Sequence, residues 1–395
     1  MTTRRGLATD GVYTDRMRSP LSIASIVSLS IVTLGTAVGL AQRASAPGPS
    51  TASAADTTSR IVKAAQTLIA QLDEGERGKL QFRFDDQAQR VRWSNLPSPM
   101  FQRVGLRLGD ITPAKRGAVM SLLQAALSAD GYKKINEIMD GDEVLRETGG
   151  GNGPRGNPPL GGANGARAGR GRGGPGGGAP GGGGGPAFGR DNYYLAFVGT
   201  PSVTSPWMLQ YGGHHLAINL TIGGSQASMT PSLPAAQPAQ YTIEGRTVRP
   251  LGDENDKGFA LINALNTDQR GKAILNYRVS DLVLGPGQDG RTIQPEGIKA
   301  SELTPQQQTM LLEIVREWAG IPADAYAEPR MADIKANLPQ TYFAWSGPTT
   351  NGSVIYYRIQ GPTLVIEYAP QGTVDHIHTI YRDPTNDYGA KFAHP

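Results

Sequence analysis

The stretch from Tyr356 to Arg382, YYRIQGPTLVIEYAPQGTVDHIHTIYR, decides the fold class. Apolar and polar residues alternate along it, and the turn sequences Gly361-Pro362 and Gln371-Gly372 interrupt the alternation. A period of two residues between turn residues is typical of β-strands. With the residues just before it, this part of the chain predicts an antiparallel meander of about four strands, at Thr341–Trp345, Ile355–Gln360, Thr363–Tyr368 and His376–Arg382.

Other strands and the helices occur earlier in the chain, in separate runs. We expect strands at Asn192–Val198, Trp207–Tyr211 and His214–Ile222, the last two forming a hairpin around Gly212-Gly213. Segregated runs of helices and strands are typical of an α+β protein. The predicted architecture has N-terminal helices, an antiparallel sheet that includes the C-terminal meander, and helices packed on the sheet.

A recurrent pattern marks the starts of several helices. A hydrophobic residue is followed by Thr or Asp, whose side chain can accept the free amide hydrogens of the first turn, and in two cases by Pro. The pattern occurs at Leu72-Asp73, Ile111-Thr112-Pro113, Leu265-Asn266-Thr267 and Leu303-Thr304-Pro305. Helices are predicted at residues 61–72, 113–128, 133–146, 267–277 and 305–319.

Charge and composition exclude several classes of function. The 395-residue chain has a net charge of +4. Residues 1–54 carry +3 and the glycine-rich tract at residues 149–189 carries +4, which leaves −3 for the remainder. A mildly acidic folded part argues against a nucleic-acid-binding face. The absence of cysteine excludes disulfides, thiolate nucleophiles and cysteine-ligated metal sites.

The N-terminal segment predicts export. Leu21 to Ala41 is uncharged and mostly apolar and follows Arg16 and Arg18, which is the pattern of a signal peptide. The segment is also long enough for an uncleaved membrane anchor. We therefore expect residues 1–54 to be a signal peptide or anchor plus a spacer. The protein would be periplasmic or extracellular, or anchored to the inner membrane by residues 21–41, and would meet the membrane only through this segment.

Residues 55–395 are predicted to form a single α+β domain with one interruption. Residues 149–189 are dominated by Gly, Pro, Asn and Arg, a composition that cannot bury enough apolar surface to fold. We expect a disordered insertion there.

Histidines provide the strongest indication of chemistry. Four of the five histidines fall into two groups, His214-His215 and His376-Ile377-His378. In a strand, residues i and i+2 share a face, so His376 and His378 should point the same way and Ile377 the opposite way. His214 and His215 would point to opposite faces, and His215 is the preferred third ligand. Hydrogen-bonded structural histidines, and catalysis without a metal, remain open.

Charged residues nearby could complete such a site. Glu367 lies in an otherwise apolar strand, and a buried carboxylate needs a partner, often a cation or a metal ion. Arg358 and Arg382 could hold an anionic group of a substrate, or could form ion pairs between strands. Three histidines with one glutamate would suit a divalent ion of zinc, manganese, iron or copper.

The sequence thus predicts an exported metal-dependent enzyme, a hydrolase or an oxidoreductase, that acts on an unknown small molecule. In this hypothesis His215, His376 and His378, with His214 as a substitute, bind the metal, while Glu367, Arg358 and Arg382 are catalytic. The alternative is a non-catalytic ligand-binding module of the cell envelope. Metal trafficking is less favoured, because such proteins usually contain Met- or His-rich tracts.

The order of several motifs resembles a bacterial family known as domain of unknown function number thirty-five hundred. The resemblance covers roughly residues 60–395 and implies a signal-bearing protein of similar length, but it supplies no activity. The glycine-rich tract looks like an insertion relative to the family pattern. The matching motifs are Trp93–Pro97, Arg103–Leu108, Asp130–Met139, Tyr193–Ser202, Gly212–Asn219, Phe343–Gly347, Tyr356–Tyr368 and His376–Gly389.

Overall fold

A computed structural model describes residues 52–149 and 186–394 of the chain. Within these ranges there are nine α-helices and fourteen β-strands. The helices are α1 Ala54–Gln71, α2 Glu74–Leu80, α3 Gln87–Arg90, α4 Pro113–Ala126, α5 Ala129–Glu147, α6 Gly252–Ala264, α7 Thr267–Ala273, α8 Pro305–Ala319 and α9 Asp324–Ala336. The strands are β1 Gln81–Phe82, β2 Leu106–Arg107, β3 Tyr194–Val198, β4 Trp207–Gly213, β5 Leu216–Gly223, β6 Gln226–Ser228, β7 Leu233–Pro234, β8 Tyr241–Ile243, β9 Arg246–Val248, β10 Ile298–Lys299, β11 Tyr342–Ser346, β12 Tyr356–Gly361, β13 Leu364–Pro370 and β14 Ile377–Arg382.

The fold class is α+β, as predicted, and the C-terminal meander is confirmed. Strands β11 to β14 lie within two residues of their predicted positions, and the short strand β10 adds a fifth member in the order β10-β11-β12-β13-β14. All neighbours in this second sheet are antiparallel. Its inner face packs against α6, α8 and α9 through a core that includes Phe259, Trp318 and Trp345.

The first sheet has the order β1-β3-β4-β5-β6, with β2 also paired to β3 and β7 to β5. Its pairs are antiparallel except β1 and β3, which run parallel. Helices α1, α4 and α5 cover one face, where Leu68, Leu122 and Ile138 join the strand residues in a second core.

The segment of residues 232–236 connects the two sheets. On one side, Leu233 and Pro234 pair with the beginning of β5. On the other side, Ser232 and Tyr381 exchange two backbone hydrogen bonds of 2.9 Å, and Ala236 and Ile377 exchange two more of 2.9 Å. The beginning of β5 and β14, although far apart in sequence, are therefore separated in space by this one segment.

The element order of the first part of the chain recurs in the second. Two helices, an irregular segment, a short strand, a 3-10 turn, two helices and three antiparallel strands appear as α1 to β5 and again as α6 to β13, except that the first part has β1 and α3 in addition, between α2 and β2. In each part the irregular segment contains a stretch without helix or strand, at residues 91–105 and at residues 275–297. Because these two irregular stretches cross the sheets, we call residues 91–105 the first crossing segment and residues 275–297 the second crossing segment.

The helix starts that the cap motif marked are confirmed, whereas α1 begins seven residues and α5 four residues before the predicted positions. The side chain of Thr112 accepts a hydrogen bond from Lys115 N–H at the start of α4, and Thr304 forms a reciprocal capping box with Gln307 at the start of α8. Helix α7 ends at Ala273, four residues before the predicted end.

In residues 52–149 and 186–394, no helix combines the length and the apolarity that a membrane crossing requires. The predicted signal or anchor segment and almost all of the glycine-rich tract lie outside these ranges, so both remain predictions.

Candidate metal centre

His214 and His215 form the two-residue turn between β4 and β5. Our prediction of a turn at Gly212-Gly213 and of a strand from His214 was wrong by two residues. The two glycines end β4, where a Cβ on Gly213 would lie 2.7 Å from the ring of Tyr193. The backbone of His215 has a φ of 60°, which costs a non-glycine residue about 1 kcal/mol or more. The turn, and not strand alternation, directs the two rings.

His376 and His378 lie at the beginning of β14. His376 immediately precedes the strand, and His378 is its second residue. Their ring centroids are 4.7 Å apart. Ile377, between them, is buried in the core of the second sheet. The predicted arrangement, in which the two histidines point the same way and Ile377 points away, is confirmed.

The connecting segment brings these two pairs of histidines together. The backbone N–H of Ala235 donates to the carbonyl of His215 at 2.8 Å, and the next residue, Ala236, pairs with Ile377. His215 Nε2 lies 2.9 Å from His376 Nε2. One ligand atom each from His215, His376 and His378 lies within 4.8 Å of the others. These three side chains, the histidine triad, could hold a metal ion.

The spacing within the triad fits a transition metal. Two ring nitrogens that bind one zinc ion at tetrahedral angles and at 2.0–2.1 Å lie about 3.3 Å apart. The 2.9 Å between the Nε2 atoms of His215 and His376 is close to that value. The ligand atoms of the triad lie up to 4.8 Å apart, so the most distant pair would have to move closer by roughly 1.5 Å on binding zinc. His215 is buried, whereas His376 and His378 are partly exposed. The triad therefore opens to solvent on the side of His376 and His378.

The protonation states also suit metal binding. Burial and the neighbouring His378 and His214 lower the pKa of His376 to about 3. Burial, reinforced by the other histidines, lowers the pKa of His215 well below its usual value. Both rings are therefore neutral at pH 7, as metal binding requires. The buried Nδ1 of His215, which lies on the side of the ring away from His376, has no hydrogen-bond partner among the described residues.

The first crossing segment brings an amide to the triad. The side-chain nitrogen of Asn95 lies 3.1 Å from Nε2 of His378, and the carbonyl of Asn95 accepts a hydrogen bond from His215 N–H at 3.1 Å. Arg103 holds this arrangement, because one guanidinium nitrogen donates to the carbonyl of Leu96 at 2.7 Å and to that of Gly213 at 2.5 Å.

His214 is not part of the triad. Its Nδ1 lies 2.6 Å from the carboxylate of Asp142, which is 1% exposed. Its ring lies against that of His215 with centroids 3.6 Å apart and the ring planes tilted by 32°. His214 therefore lies between Asp142 and the ring of His215. That His214 could be the third ligand in place of His215 stays a prediction.

The three residues that we predicted to be catalytic have other partners. The carboxylate of Glu367 is fully buried and accepts hydrogen bonds from the backbone of Val283 and Leu284. Arg358 pairs with Glu296 at 2.9 Å. Arg382 is 2% exposed, and its donors bind carbonyls and carboxylates of the second crossing segment and of Asp387. None of the three belongs to the triad, and their catalytic roles remain predictions.

Sequence reasoning missed Asn95, Asp142 and Asp281. Asp281, in the second crossing segment, lies 3.6 Å from Nδ1 of His378. No local pattern indicates any of them, because each meets a histidine only through the tertiary fold: Asn95 and His378 are 283 residues apart. The Trp93–Pro97 motif marks the right loop, but nothing near it in sequence points to a metal site.

The fold and the triad define an α+β protein with a candidate three-histidine metal centre. The family model described as "Protein of unknown function (DUF3500)" matches residues 54–390, and the chain belongs to this family. The comparison with curated proteins and the comparison with solved structures found no match. The resemblance expected from the sequence motifs is thereby confirmed.

Proposed function

We propose that this protein is a metal-dependent enzyme in which His215, His376 and His378 bind a divalent transition metal ion. One observation carries the proposal: a turn and a strand end that are 161 residues apart in sequence place three imidazoles within 4.8 Å of one another. A hydrogen-bonded structural role requires no such convergence.

Zinc and hydrolysis fit the donor set better than iron and oxidation. Non-haem iron oxygenases typically use two histidines and one carboxylate, whereas three histidines and a free position are typical of catalytic zinc. Within the described ranges, the triad contains no carboxylate. A zinc ion at such a site lowers the pKa of a bound water to about 7, which supplies a nucleophile at neutral pH.

The chain's own residues would orient the substrate on the open side. His215 is buried, so a substrate must approach past His376 and His378. The amide of Asn95 lies at this side and can donate or accept a hydrogen bond, which favours a neutral polar group such as an amide or ester carbonyl. Arg358 and Arg382 are occupied by their ion pairs, so they do not favour an anionic substrate.

Elemental analysis of the purified protein tests the proposal. We expect close to one equivalent of metal in the wild type and almost none in a His376→Ala/His378→Ala variant. His394→Ala is the matched control, because His394 is exposed and lies outside the triad. A metal-free wild type that cannot be reloaded with zinc, copper, iron or manganese would refute the proposal and favour the non-catalytic ligand-binding module.

We also propose that residues 1–54 direct export, because the apolar run from Leu21 to Ala41 follows two arginines. Cell fractionation with mass spectrometry of the mature N-terminus tests this proposal. Protein found only in the cytoplasm with an intact N-terminus would contradict it.

A further inference from the structure

We propose that Asp281 is the positioning carboxylate of the metal centre, and that Glu367 acts through the second crossing segment to hold Asp281 in place. The inference rests on the proposed metal function and adds two residues to it. It also gives Glu367 a different role from the one that its sequence context suggested.

Asp281 lies next to one member of the triad. Its Oδ1 is 3.6 Å from Nδ1 of His378, an ion-pair distance that is slightly longer than a hydrogen bond. Among the described residues, it is the one carboxylate within 4.0 Å of a ring nitrogen of the triad. Metal-binding histidines usually donate their second N–H to such an acceptor, which fixes the tautomer and the orientation of the ring. With Nδ1 towards Asp281, Nε2 of His378 would bind the metal in place of its present contact with the side-chain nitrogen of Asn95 at 3.1 Å.

A second contact links Asp281 to another ligand. The side-chain amide of Gln371 donates to Oδ1 of Asp281 at 2.7 Å. The backbone N–H of Gln371 donates to the carbonyl of His376 at 2.6 Å. Gln371 therefore binds both the carboxylate of Asp281 and the backbone of His376, and so fixes Asp281 relative to the triad.

The second crossing segment has no helix or strand that could fix Asp281. Irregular stretches longer than about 15 residues are uncommon in compact domains and are usually functional. Polar residues of the second sheet provide the anchors instead. Glu367 accepts hydrogen bonds from the N–H groups of Val283 at 3.0 Å and Leu284 at 2.7 Å. Arg382 donates to the carbonyl of Leu284 at 2.7 Å.

The anchor at Glu367 is strong because it is buried. The side chain is completely inaccessible to solvent, and the hydroxyl of Tyr356 donates a third hydrogen bond to it at 2.6 Å. Burial raises the pKa of the Glu367 carboxyl, and removal of this acceptor would leave the N–H groups of Val283 and Leu284 without a partner, which is costly at a buried site. Since Val283 follows Asp281 by only two residues, loss of this anchor releases the part of the segment that carries Asp281.

The first test compares two isosteric substitutions. Zinc affinity is measured by competition with a chromophoric chelator, and the geometry of the centre by the visible spectrum of the cobalt-loaded protein. We expect Asp281→Asn to weaken zinc binding about 10- to 100-fold and to shift the cobalt spectrum, with one equivalent still bound. Asp375→Asn is the matched control: Asp375 is exposed, precedes His376 and binds the backbone of Ala239. It should leave both readouts unchanged.

A double-mutant cycle then tests whether Glu367 acts through Asp281. Glu367→Gln should weaken zinc binding in the wild-type background and have little further effect when Asp281 is already Asn. If Glu367→Gln does not fold, Tyr356→Phe takes its place, because it removes one hydrogen bond from the same carboxylate.

Three results would overturn the inference. If Asp281→Asn binds zinc as tightly as the wild type, Asp281 does not position the metal centre. If the fold-losses in zinc affinity of Asp281→Asn and Glu367→Gln multiply in the double variant, Glu367 acts independently of Asp281. A wild-type protein that binds no metal would defeat the proposed function itself, a failure distinct from the other two.

Discussion

The imidazole of His376 stays neutral in the folded protein, because burial and neighbouring histidines lower its pKa to about 3. In the unfolded chain it titrates near 6.5. Between these pH values the unfolded state binds more protons, so the free energy of unfolding of the metal-free protein should fall as the pH drops below 6.5. This histidine alone contributes a slope of up to about 1.4 kcal/mol per pH unit.

Urea unfolding in the presence of a chelator, between pH 7 and pH 4, measures this slope. His376→Ala should show a shallower decline than the wild type, and His394→Ala should follow the wild type because His394 is exposed. Identical declines in the wild type and in His376→Ala would contradict the neutral, buried state of this ring.

Asp142 is a second residue whose removal should be costly. Its carboxylate accepts hydrogen bonds from His214 at 2.6 Å and from Gly189 N–H at 2.8 Å. Asp142→Ala leaves two buried donors unpaired, and we expect a loss of about 3 kcal/mol in the free energy of unfolding. Asp140→Ala is the control on the same helix, since its partly exposed pair with Arg190 should be worth about 0–1 kcal/mol. Equal losses in the two variants would contradict this account.

At the residue scale, only part of the site could be predicted from sequence. The shared direction of His376 and His378, at the beginning of β14, follows from the period of a strand, a local property. The contributions of Asn95 and Asp281 depend on where two irregular segments cross the sheets, and neither segment has a periodicity that fixes the directions of its side chains. The same applies to Glu367: its burial was predictable, but its partners were not.

At the scale of elements, helix starts are encoded by short local motifs. Thr304→Ala removes the hydroxyl that caps α8 and should destabilise the protein by about 1 kcal/mol. Thr309→Ala, an exposed change within the same helix, should be neutral or slightly stabilising, because alanine has the higher helix propensity. Thermal or urea unfolding distinguishes them, and equal stabilities of the two variants would contradict the capping role.

Hairpin turns were less predictable than helix caps. Gly212-Gly213 resembles a turn sequence, yet the turn is made by His214 and His215 with a positive φ at His215. The glycines are required for another reason, the close approach of the Tyr193 ring to Gly213. The fold therefore places strain at a histidine of the triad, as often occurs at functional sites.

At the scale of the whole molecule, the triad joins the two large sheets of the fold. His215 comes from the first sheet, while His376 and His378 come from the second. A bound ion should therefore stabilise the folded protein as a unit, by about 2.7 kcal/mol when free zinc is 100-fold above its dissociation constant. The recurrence of elements itself was not evident from sequence, where only the helix-start motifs repeat.

Thermal unfolding with and without zinc measures this linkage. The melting temperature of the wild type and of His394→Ala should rise with zinc, and that of His378→Ala should not. A zinc-dependent rise that persists in His378→Ala would place the ion outside the triad.

Anomalous diffraction from zinc-loaded crystals, recorded on both sides of the zinc absorption edge, tests the central claim most directly. Our account predicts one strong peak within about 2.0–2.1 Å of a ring nitrogen from each of His215, His376 and His378. The absence of a peak there in zinc-loaded protein, or a peak coordinated by other residues, would contradict it.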